Sequence, residues 1–199
     1  MDDIADAYGS PSMPVEDILG TTVSPDDPDR LIIEPWAKTV HGSILDVGAG
    51  TGRWTGHLTQ LGYDVTGLEP AERLVTLARQ THPAARFWVG SIADLTGTSQ
   101  RWAGILAWYS VIHMGPEELQ SSVATLRNAL TDDGTLLLSF FTGARLEPFD
   151  HPVATAYRWP LADITQALAA AGLDVIAQHP SLISPHAYVI AQASSSIVG

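Results

Sequence analysis

Short apolar runs alternate with segments of helical periodicity from residue 43 almost to the end of the chain. The apolar runs predict strands over residues 43–48, 63–69, 85–90, 102–110, 134–141, 173–179 and 186–193. Between them, apolar side chains recur at helical spacing, which predicts helices over 53–62, 71–80, 116–130 and 161–172. Continuously apolar strands that alternate with helices are typical of an α/β fold, a doubly wound, mostly parallel sheet with helices on both faces.

The two ends of the chain differ from this central pattern. Residues 1–42 are polar and rich in proline and aspartate; short helices are expected over 2–8 and 14–20, and a longer one follows Asp26–Asp29, with Pro35 as a kink or a new start. The last two strands, joined by "PSLISP", predict an antiparallel hairpin on a Rossmann-like sheet. We interpret the chain as a single domain with a helical cap or lid (1–42), a core (43–193) and a tail (194–199).

Composition and charge exclude several classes of function. The 199 residues suit one domain, and the net charge of −12 with ten scattered Lys and Arg disfavours nucleic acid and anionic membranes. The chain has no cysteine, which excludes disulfides, thiolate metal sites and a cysteine nucleophile, and its seven histidines are scattered, so we expect no metal. No signal peptide or membrane-spanning run is apparent, which favours a cytoplasmic location.

A glycine-rich loop follows the first strand. The stretch "DVGAGTGR" ends that strand and places alternating glycines at Gly48, Gly50 and Gly52, which permit a tight turn and a close approach of a ligand to the backbone. The dinucleotide fingerprint would need glycine where Arg53 stands, and the G-K-[ST] of phosphate loops is absent. The second strand ends at Glu69, where a carboxylate can accept hydrogen bonds from both hydroxyls of a ribose.

Together with "GSIADL" and "AWYSVIHM", these motifs resemble the class I S-adenosylmethionine-dependent methyltransferases over roughly residues 43–141. The resemblance implies S-adenosylmethionine as cofactor and S-adenosylhomocysteine as product. It implies that the glycine loop follows the methionine part of the cofactor, that Asp46 organises the loop through backbone N–H groups, and that Glu69 holds the ribose. The implied cofactor-binding residues are Asp46, Gly48, Ala49, Gly50, Arg53, Trp54, Glu69, Pro70, Leu74, Ser91, Ile92, Asp94 and Trp108.

Two of these positions carry open alternatives. Family members often place an aspartate directly after the third-strand glycine, but here Ser91 follows Gly90 and Asp94 comes three residues later. The adenine amino group is therefore read either by Asp94 or by Ser91 with the backbone at Ile92, and Asp94 alternatively caps a turn. Arg53 either clamps the carboxylate of the cofactor or lies along a helix in solvent.

The stretch "WYSVIHM" follows the fourth strand, which in the resembled fold ends beside the reactive sulfonium. Trp108 and Tyr109 offer aromatic faces to a cation. His113 is the candidate general base, with Tyr109 beside it as the second candidate catalytic residue. The alternatives are that Trp108 packs in the core and that His113 is a turn histidine or only orients the substrate.

Substrate contacts are expected from two further segments. Residues 147–160 contain His151, Tyr157 and Trp159, which form either a pocket wall or an aromatic-stapled loop, and Tyr8 of the lid is expected to close over the cofactor. The segments "DPDRLIIEPWA", "AWYSVIHMGPEEL", "LLLSFFTG" and "PVATAYRWP" also resemble a group of small actinobacterial methyltransferase-like proteins.

The sequence favours transfer of a methyl group to a small-molecule acceptor by in-line displacement. The tetrapeptide of nucleic-acid amino methyltransferases is absent, because residues 107–110 read Ala-Trp-Tyr-Ser, and the cysteine of cytosine C5 enzymes is missing. The adjacent Glu117 and Glu118 do not match the separated pair of protein arginine methyltransferases. Two alternatives stay open, a non-catalytic S-adenosylmethionine-binding module and a protein methyltransferase.

Overall fold

The computed structural model describes residues 2–180 and 185–194. Its strands are β1 (Ile44–Val47), β2 (Val65–Glu69), β3 (Arg86–Val89), β4 (Trp102–Ala107), β5 (Leu130–Thr142), β6 (Glu147–Phe149), β7 (Ala156–Trp159), β8 (Leu173–Pro180) and β9 (His186–Ala193). Its helices are α1 (Asp2–Gly9), α2 (Val15–Leu19), α3 (Arg30–Thr39), α4 (Arg53–Gln60), α5 (Glu72–Thr81), α6 (Pro116–Ala129) and α7 (Leu161–Ala170), with a 3-10 helix over Ile92–Leu95.

These strands form one mixed sheet. Parallel pairing gives the order β3-β2-β1-β4-β5, and β9 joins β5 antiparallel with β8 beyond it. This arrangement confirms the predicted fold class, including the C-terminal hairpin. The chain steps outward from β1 to β3 and returns to β4 on the other side of β1, so the strand order reverses between β1 and β4, where open α/β sheets bind ligands.

The two faces of the sheet are covered by different helices. Along β5, Leu136 and Leu138 pack in the larger buried cluster with residues of α6 and α7, whereas Leu137 between them packs in a second cluster with residues of α3 and α4. The alternation follows from the two-residue period of a strand. Helices on both faces were predicted because the strands are apolar throughout.

Several local predictions needed correction. The prediction of a new helix start at Pro35 is wrong, since α3 runs through that residue. Pro35 lies on the exposed face, and the carbonyl that its missing N–H leaves free belongs to Leu31, a residue that is 82% exposed, so water can satisfy it. β5 begins four residues earlier than expected, and the short strands β6 and β7 occupy a region interpreted as a loop or pocket wall.

The connection "PSLISP" falls mostly on residues 181–184, and the tail mostly on residues 195–199, both of which lie outside the described residues. Within the described ranges, no helix combines the length and apolar character needed to cross a lipid bilayer. The division into cap, core and tail stays a prediction.

Candidate active site

A cavity of about 450 Å³ opens at the carboxyl ends of β1, β2, β4 and β5. This volume is in the range of small-molecule sites in proteins. Helices α1 and α2 cover it, through Ile4, Ala5, Tyr8, Ile18 and Leu19. Its opposite wall is formed by the loops that follow the strands, so the N-terminal segment and the sheet enclose one space.

The glycine loop forms one end of this cavity, and its backbone packs closely against Ser110. Gly48 has φ +67°, and a Cβ atom at this position would lie 2.5 Å from Cβ of Ser110. Gly50 has φ +57°, and its backbone N–H donates to Oε2 of Glu69 at 2.9 Å. Both glycines adopt left-handed backbone conformations that side chains disfavour, so the loop presents bare backbone to the cavity.

Glu69 lies beside the loop at the end of β2 and is 6% exposed. Its second oxygen accepts the backbone N–H of Ala71 at 2.8 Å. Burial raises the pKa of Glu69 above its usual value, against the lowering effect of the two N–H groups. Each oxygen keeps a lone pair after these bonds, so the carboxylate can accept further hydrogen bonds from a ligand in the cavity.

We call this part of the cavity the loop end. It comprises Gly48, Gly50, Glu69, Pro70, Leu74, Gly90, Ser91 and Ile92. All were predicted as cofactor contacts except Gly90, which entered only as the glycine that ends the third strand.

Asp46 is buried and does not line the cavity. Its carboxylate accepts the hydroxyl of Thr55 at 2.6 Å and the backbone N–H of the same residue. Burial, with a smaller contribution from the charge of Glu69, raises the pKa of Asp46 to about 7. The resemblance implied that Asp46 organises the loop through backbone N–H groups; the backbone N–H that it accepts belongs to Thr55, in the first turn of α4.

Three other predicted cofactor residues point away from the cavity. Arg53 pairs with Asp27 at 2.7 Å and with Asp29 at 3.5 Å. Its guanidinium is therefore held by the acidic N-terminal segment. It neither enters the cavity nor extends into solvent along the helix. Trp54 packs in the buried cluster with α3. Ala49 packs with residues of α5 and β3, because the left-handed glycines on either side turn its side chain to the far side of the loop.

The structure separates Ser91 and Ile92 from Asp94. Ser91 and Ile92 line the cavity. Asp94 is exposed and accepts the backbone N–H of Ser91 at 2.7 Å and its hydroxyl at 2.9 Å, which is a capping box at the start of the 3-10 helix. Of the two alternatives for Asp94, its geometry fits the cap.

The other end of the cavity is lined by rings. We define the ring cluster as Tyr109, His113, Phe141, His151 and His186, all of which line the cavity. Tyr109 has φ +56°, the one positive φ of a non-glycine residue in the described part of the chain. Its N–H donates to Oγ of the buried Ser139 at 2.7 Å, and its hydroxyl bonds Nδ1 of His186 at 2.6 Å. Burial raises the pKa of Tyr109, so the phenol stays protonated.

His113 is held on both sides. Its Nδ1 lies 2.8 Å from the carbonyl oxygen of Thr155, which can only accept, so Nδ1 carries the proton. In the neutral ring Nε2 is then an acceptor, and the hydroxyl of Tyr8 donates to it at 2.9 Å. Burial lowers the pKa of His113, while burial and Glu69 raise the pKa of Tyr8 to about 12. A neutral imidazole and a protonated phenol therefore form this pair at neutral pH.

The predicted substrate residues divide into two groups. Tyr8 and His151 line the cavity. Trp108, predicted as a cofactor contact, also lines the cavity; it packs in the buried cluster with α3 and α4, and its Nε1–H donates to Asp29 at 2.8 Å. Tyr157 and Trp159 do not line it. Trp159 is 4% exposed and packs in the core with α6 and α7, since β7 joins the sheet and turns this side chain to that face.

Sequence reasoning missed Phe141, His186, Ser139 and Asp29. A signal existed for Phe141, which lies near the carboxyl end of a predicted parallel strand, where ligands bind. We find no such signal for His186, Ser139 and Asp29. His186 lies on an antiparallel strand, Ser139 is buried, and Asp29 reaches the site through a long-range hydrogen bond to Trp108. In residues 2–180 and 185–194, no group of three or more metal-ligating side chains is arranged to hold an ion.

Residues 44–134 match the family model of a methyltransferase domain. An uncharacterized methyltransferase of Staphylococcus carnosus (strain TM300) is 31% identical over 102 residues, which cover 51% of this chain and 48% of the relative. The dTDP-3-amino-3,4,6-trideoxy-alpha-D-glucopyranose N,N-dimethyltransferase of Streptomyces venezuelae is 29% identical over 126 residues, 62% of this chain and 49% of the relative. The chain thus spans about half the length of these curated relatives.

A solved structure extends the likeness beyond the matched segment. The Burkholderia thailandensis 1,6-didemethyltoxoflavin-N1-methyltransferase, with bound 1,6-didemethyltoxoflavin and S-adenosylhomocysteine, superposes with a TM-score of 0.67 at 20% identity, covering 84% of this chain and 80% of that one. At this identity the likeness shows the fold. The matched segment is thus similar to a methyltransferase domain, and the chain shares the fold of a methyltransferase solved with S-adenosylhomocysteine. The narrower resemblance to actinobacterial proteins stays a prediction.

Proposed function

We propose that this chain binds S-adenosylmethionine at the loop end of the cavity and directs its methyl group to a small-molecule acceptor at the ring cluster. One observation carries the proposal: a single cavity joins the glycine loop and Glu69 to a cluster of aromatic and imidazole side chains. The cofactor, when bound, supplies an electrophilic methyl group on sulfur. The protein has to hold the two reactants in line and exclude water.

The loop end fits the parts of such a cofactor. Glu69 has free lone pairs for ribose hydroxyls, and Pro70, Leu74 and Ile92 supply apolar surface for a purine ring. Ser91 supplies a hydroxyl oxygen beside that surface. Gly48 and Gly50 line the cavity without side chains, so the methionine part can approach their backbone.

At the ring cluster, His113 is the proposed proton acceptor. Its orientation is fixed by Thr155, which leaves Nε2 as the basic nitrogen. Tyr8 occupies that nitrogen from α1, so the N-terminal segment both covers the cavity and contacts the proposed base. We infer that residues 1–42 act as a lid. Deleting residues 1–20 is expected to weaken binding of S-adenosylhomocysteine and slow turnover; unchanged values would contradict the lid.

The small-molecule part of the proposal is supported by the size of the cavity and by named relatives. The cavity is closed by α1 and α2, which leaves little room for a folded protein segment. The names of two similar methyltransferases specify small molecules, a dTDP-linked amino sugar in one and 1,6-didemethyltoxoflavin in the other.

Calorimetric titration with S-adenosylhomocysteine, with NAD as a comparison ligand, tests the cofactor. We expect binding in the micromolar range that falls at least about tenfold in Glu69→Ala, because two backbone N–H groups and the ribose lose their acceptor. Asp132→Ala is the matched control, an exposed acid on β5 that lies outside the cavity. Absence of binding, or preference for NAD, would contradict the proposal.

Incubation with methyl-labelled cofactor tests the class of acceptor. The protein is supplied in parallel with a metabolite extract and with lysate protein. We expect label in the metabolite fraction. Label in protein alone would favour a protein methyltransferase, and binding without transfer to either would favour a non-catalytic module.

A further inference from the structure

The ring cluster is a continuous set of tilted and edge-on rings. Phe141 lies in its middle, with ring centroids 5.3 Å from Tyr109, 5.3 Å from His186 and 6.2 Å from His151. His113 extends the set, 5.2 Å from His151. Walls made of ring faces and edges interact best with another flat ring, because aromatic pairs gain from defined stacked and edge-to-face geometries.

This end of the cavity offers no fixed positive charge. Among the residues that the structure describes, no lysine or arginine lines the cavity, and the carboxylates that line it are Glu69 and Glu118. Burial lowers the pKa of both His113 and His151, so both rings are neutral near pH 7. Asp29, which accepts the Nε1–H of Trp108, is paired with Arg53, and neither Asp29 nor Arg53 lines the cavity. An acceptor bearing phosphate or carboxylate would bury its charge without a partner, which is costly.

The Tyr8–His113 pair limits the kind of proton that can be removed. The hydroxyl of Tyr8 donates to Nε2 of His113, and its oxygen keeps lone pairs for a donor on the acceptor molecule. A neutral imidazole with a lowered pKa is a weak base. It is better matched to a ring-borne hydroxyl, with a pKa of about 10, than to a saturated alcohol, whose pKa is close to the roughly 16 of water.

We propose that the acceptor is an uncharged, planar aromatic or heteroaromatic molecule, methylated at a ring-borne O–H or N–H group that faces the hydroxyl of Tyr8. This inference rests on the proposed function, because it assigns the loop end to the cofactor. A bond forms from the acceptor oxygen or nitrogen to the methyl carbon as the carbon–sulfur bond breaks and its electron pair stays on sulfur. The acceptor's proton passes to the Tyr8 oxygen and the Tyr8 proton to Nε2 of His113, while Thr155 holds the Nδ1–H of the resulting imidazolium.

Four small probes on protein saturated with S-adenosylhomocysteine test this acceptor class. The probes are para-cresol, its saturated counterpart para-methylcyclohexanol, its carboxylated counterpart para-toluate, and para-fluorotoluene, which lacks the hydroxyl. Ligand-observed NMR titration ranks their affinities. We expect para-cresol to bind roughly threefold to tenfold tighter than the saturated alcohol and para-fluorotoluene. Para-toluate is expected to bind at least about tenfold more weakly than para-cresol.

Two variants assign each preference to a side chain. Phe141→Leu is expected to remove the preference for para-cresol over para-methylcyclohexanol. Tyr8→Phe, which keeps the ring that packs against His113, is expected to remove the preference for para-cresol over para-fluorotoluene. Trp88→Leu is the control, since Trp88 is 39% exposed on β3 and lies outside the cavity, and it should change neither preference.

The outcomes separate this inference from the proposed function. Failure to bind S-adenosylhomocysteine at all contradicts the proposed function. Binding of that ligand combined with equal or tighter binding of the saturated alcohol or of para-toluate overturns the acceptor class alone. The ranking by the wild-type protein decides this by itself if the Phe141→Leu variant does not fold.

Discussion

At the loop end of the cavity three of the eight lining residues are glycines and all eight lie between residues 48 and 92, whereas the ring cluster is built of side chains that range from residue 109 to residue 186. Gly48 is fixed by its contact with Ser110, and Gly50 by its bond to Glu69. The ring cluster is held by side-chain pairs such as Tyr8 with His113. The difference teaches that the fold itself dictates the loop end, while the ring cluster can change its side chains without changing the sheet.

The largest expected effect comes from adding one methyl group at the loop end. Gly48→Ala is expected to lower the free energy of unfolding by about 2–5 kcal/mol, because left-handed backbone costs an alanine about 1–2 kcal/mol and a steric clash adds about 1–3 kcal/mol. Binding of S-adenosylhomocysteine should be lost. Urea denaturation and calorimetry measure the two quantities.

Gly62→Ala is the matched control for Gly48→Ala. Gly62 also has a positive φ, +91°, but nothing lies within 4 Å of the position of its Cβ. The free energy of unfolding of this variant should fall only by the backbone cost of about 1–2 kcal/mol. Its affinity for S-adenosylhomocysteine should be unchanged. Equal losses in the two variants would show that the contact with Ser110 is unimportant.

The next effect concerns the pH dependence of stability. Because burial raises the pKa of Asp46 from 3.8 to about 7, the folded protein keeps a proton that the unfolded chain releases above about pH 4. The contribution of Asp46 to the free energy of unfolding is therefore fully present at low pH. It falls as the pH rises from about 4 to 7, by at most roughly 4 kcal/mol. Asp46→Asn should remove this part of the slope.

Urea denaturation at several pH values measures the Asp46 effect. The pKa of Glu69 is raised in the same direction by burial, so part of the slope should persist in the Asp46→Asn variant. Asp174→Asn, at an exposed position on β8, is the control and should leave the slope intact. A free energy of unfolding that rises between pH 4 and 7 in the wild-type protein but not in Asp46→Asn would contradict the expectation.

A smaller effect is expected at the support of the ring cluster. Ser139→Ala leaves the N–H of Tyr109 without its acceptor, which should cost about 1–3 kcal/mol of unfolding free energy. The affinity for S-adenosylhomocysteine should stay within about twofold, since the bond supports the ring cluster and not the loop end. A large loss of that affinity would show that the two ends are not independent.

The smallest effect is expected at Arg53. Its partly exposed ion pair with Asp27 should contribute only about 0.2–1 kcal/mol, and Arg53→Gln should leave the affinity for S-adenosylhomocysteine within about twofold. A tenfold weaker affinity in calorimetry would instead restore the hypothesis that Arg53 clamps the cofactor.

The sequence predicted the parts of the molecule that depend on local pattern. The order of strands and helices follows from apolar periodicity, and the loop end follows from alternating glycines with an acid at the end of the next strand. The directions of Arg53 and Trp159 could not be predicted in this way. Arg53 turns to acids about 25 residues earlier in the chain, and Trp159 faces the core because β7 pairs with β5.

The pairing of β5 with β9 affects the order in which the two ends of the cavity form during synthesis. Phe141 lies opposite His186 in this antiparallel register, so one wall of the ring cluster depends on a strand at the far end of the chain. Chains emerge from the ribosome N-terminal end first. The loop end can therefore assemble while synthesis continues, whereas the ring cluster is completed only after β9 has been made. A nascent chain stalled before β9 would carry the loop end without the complete ring cluster.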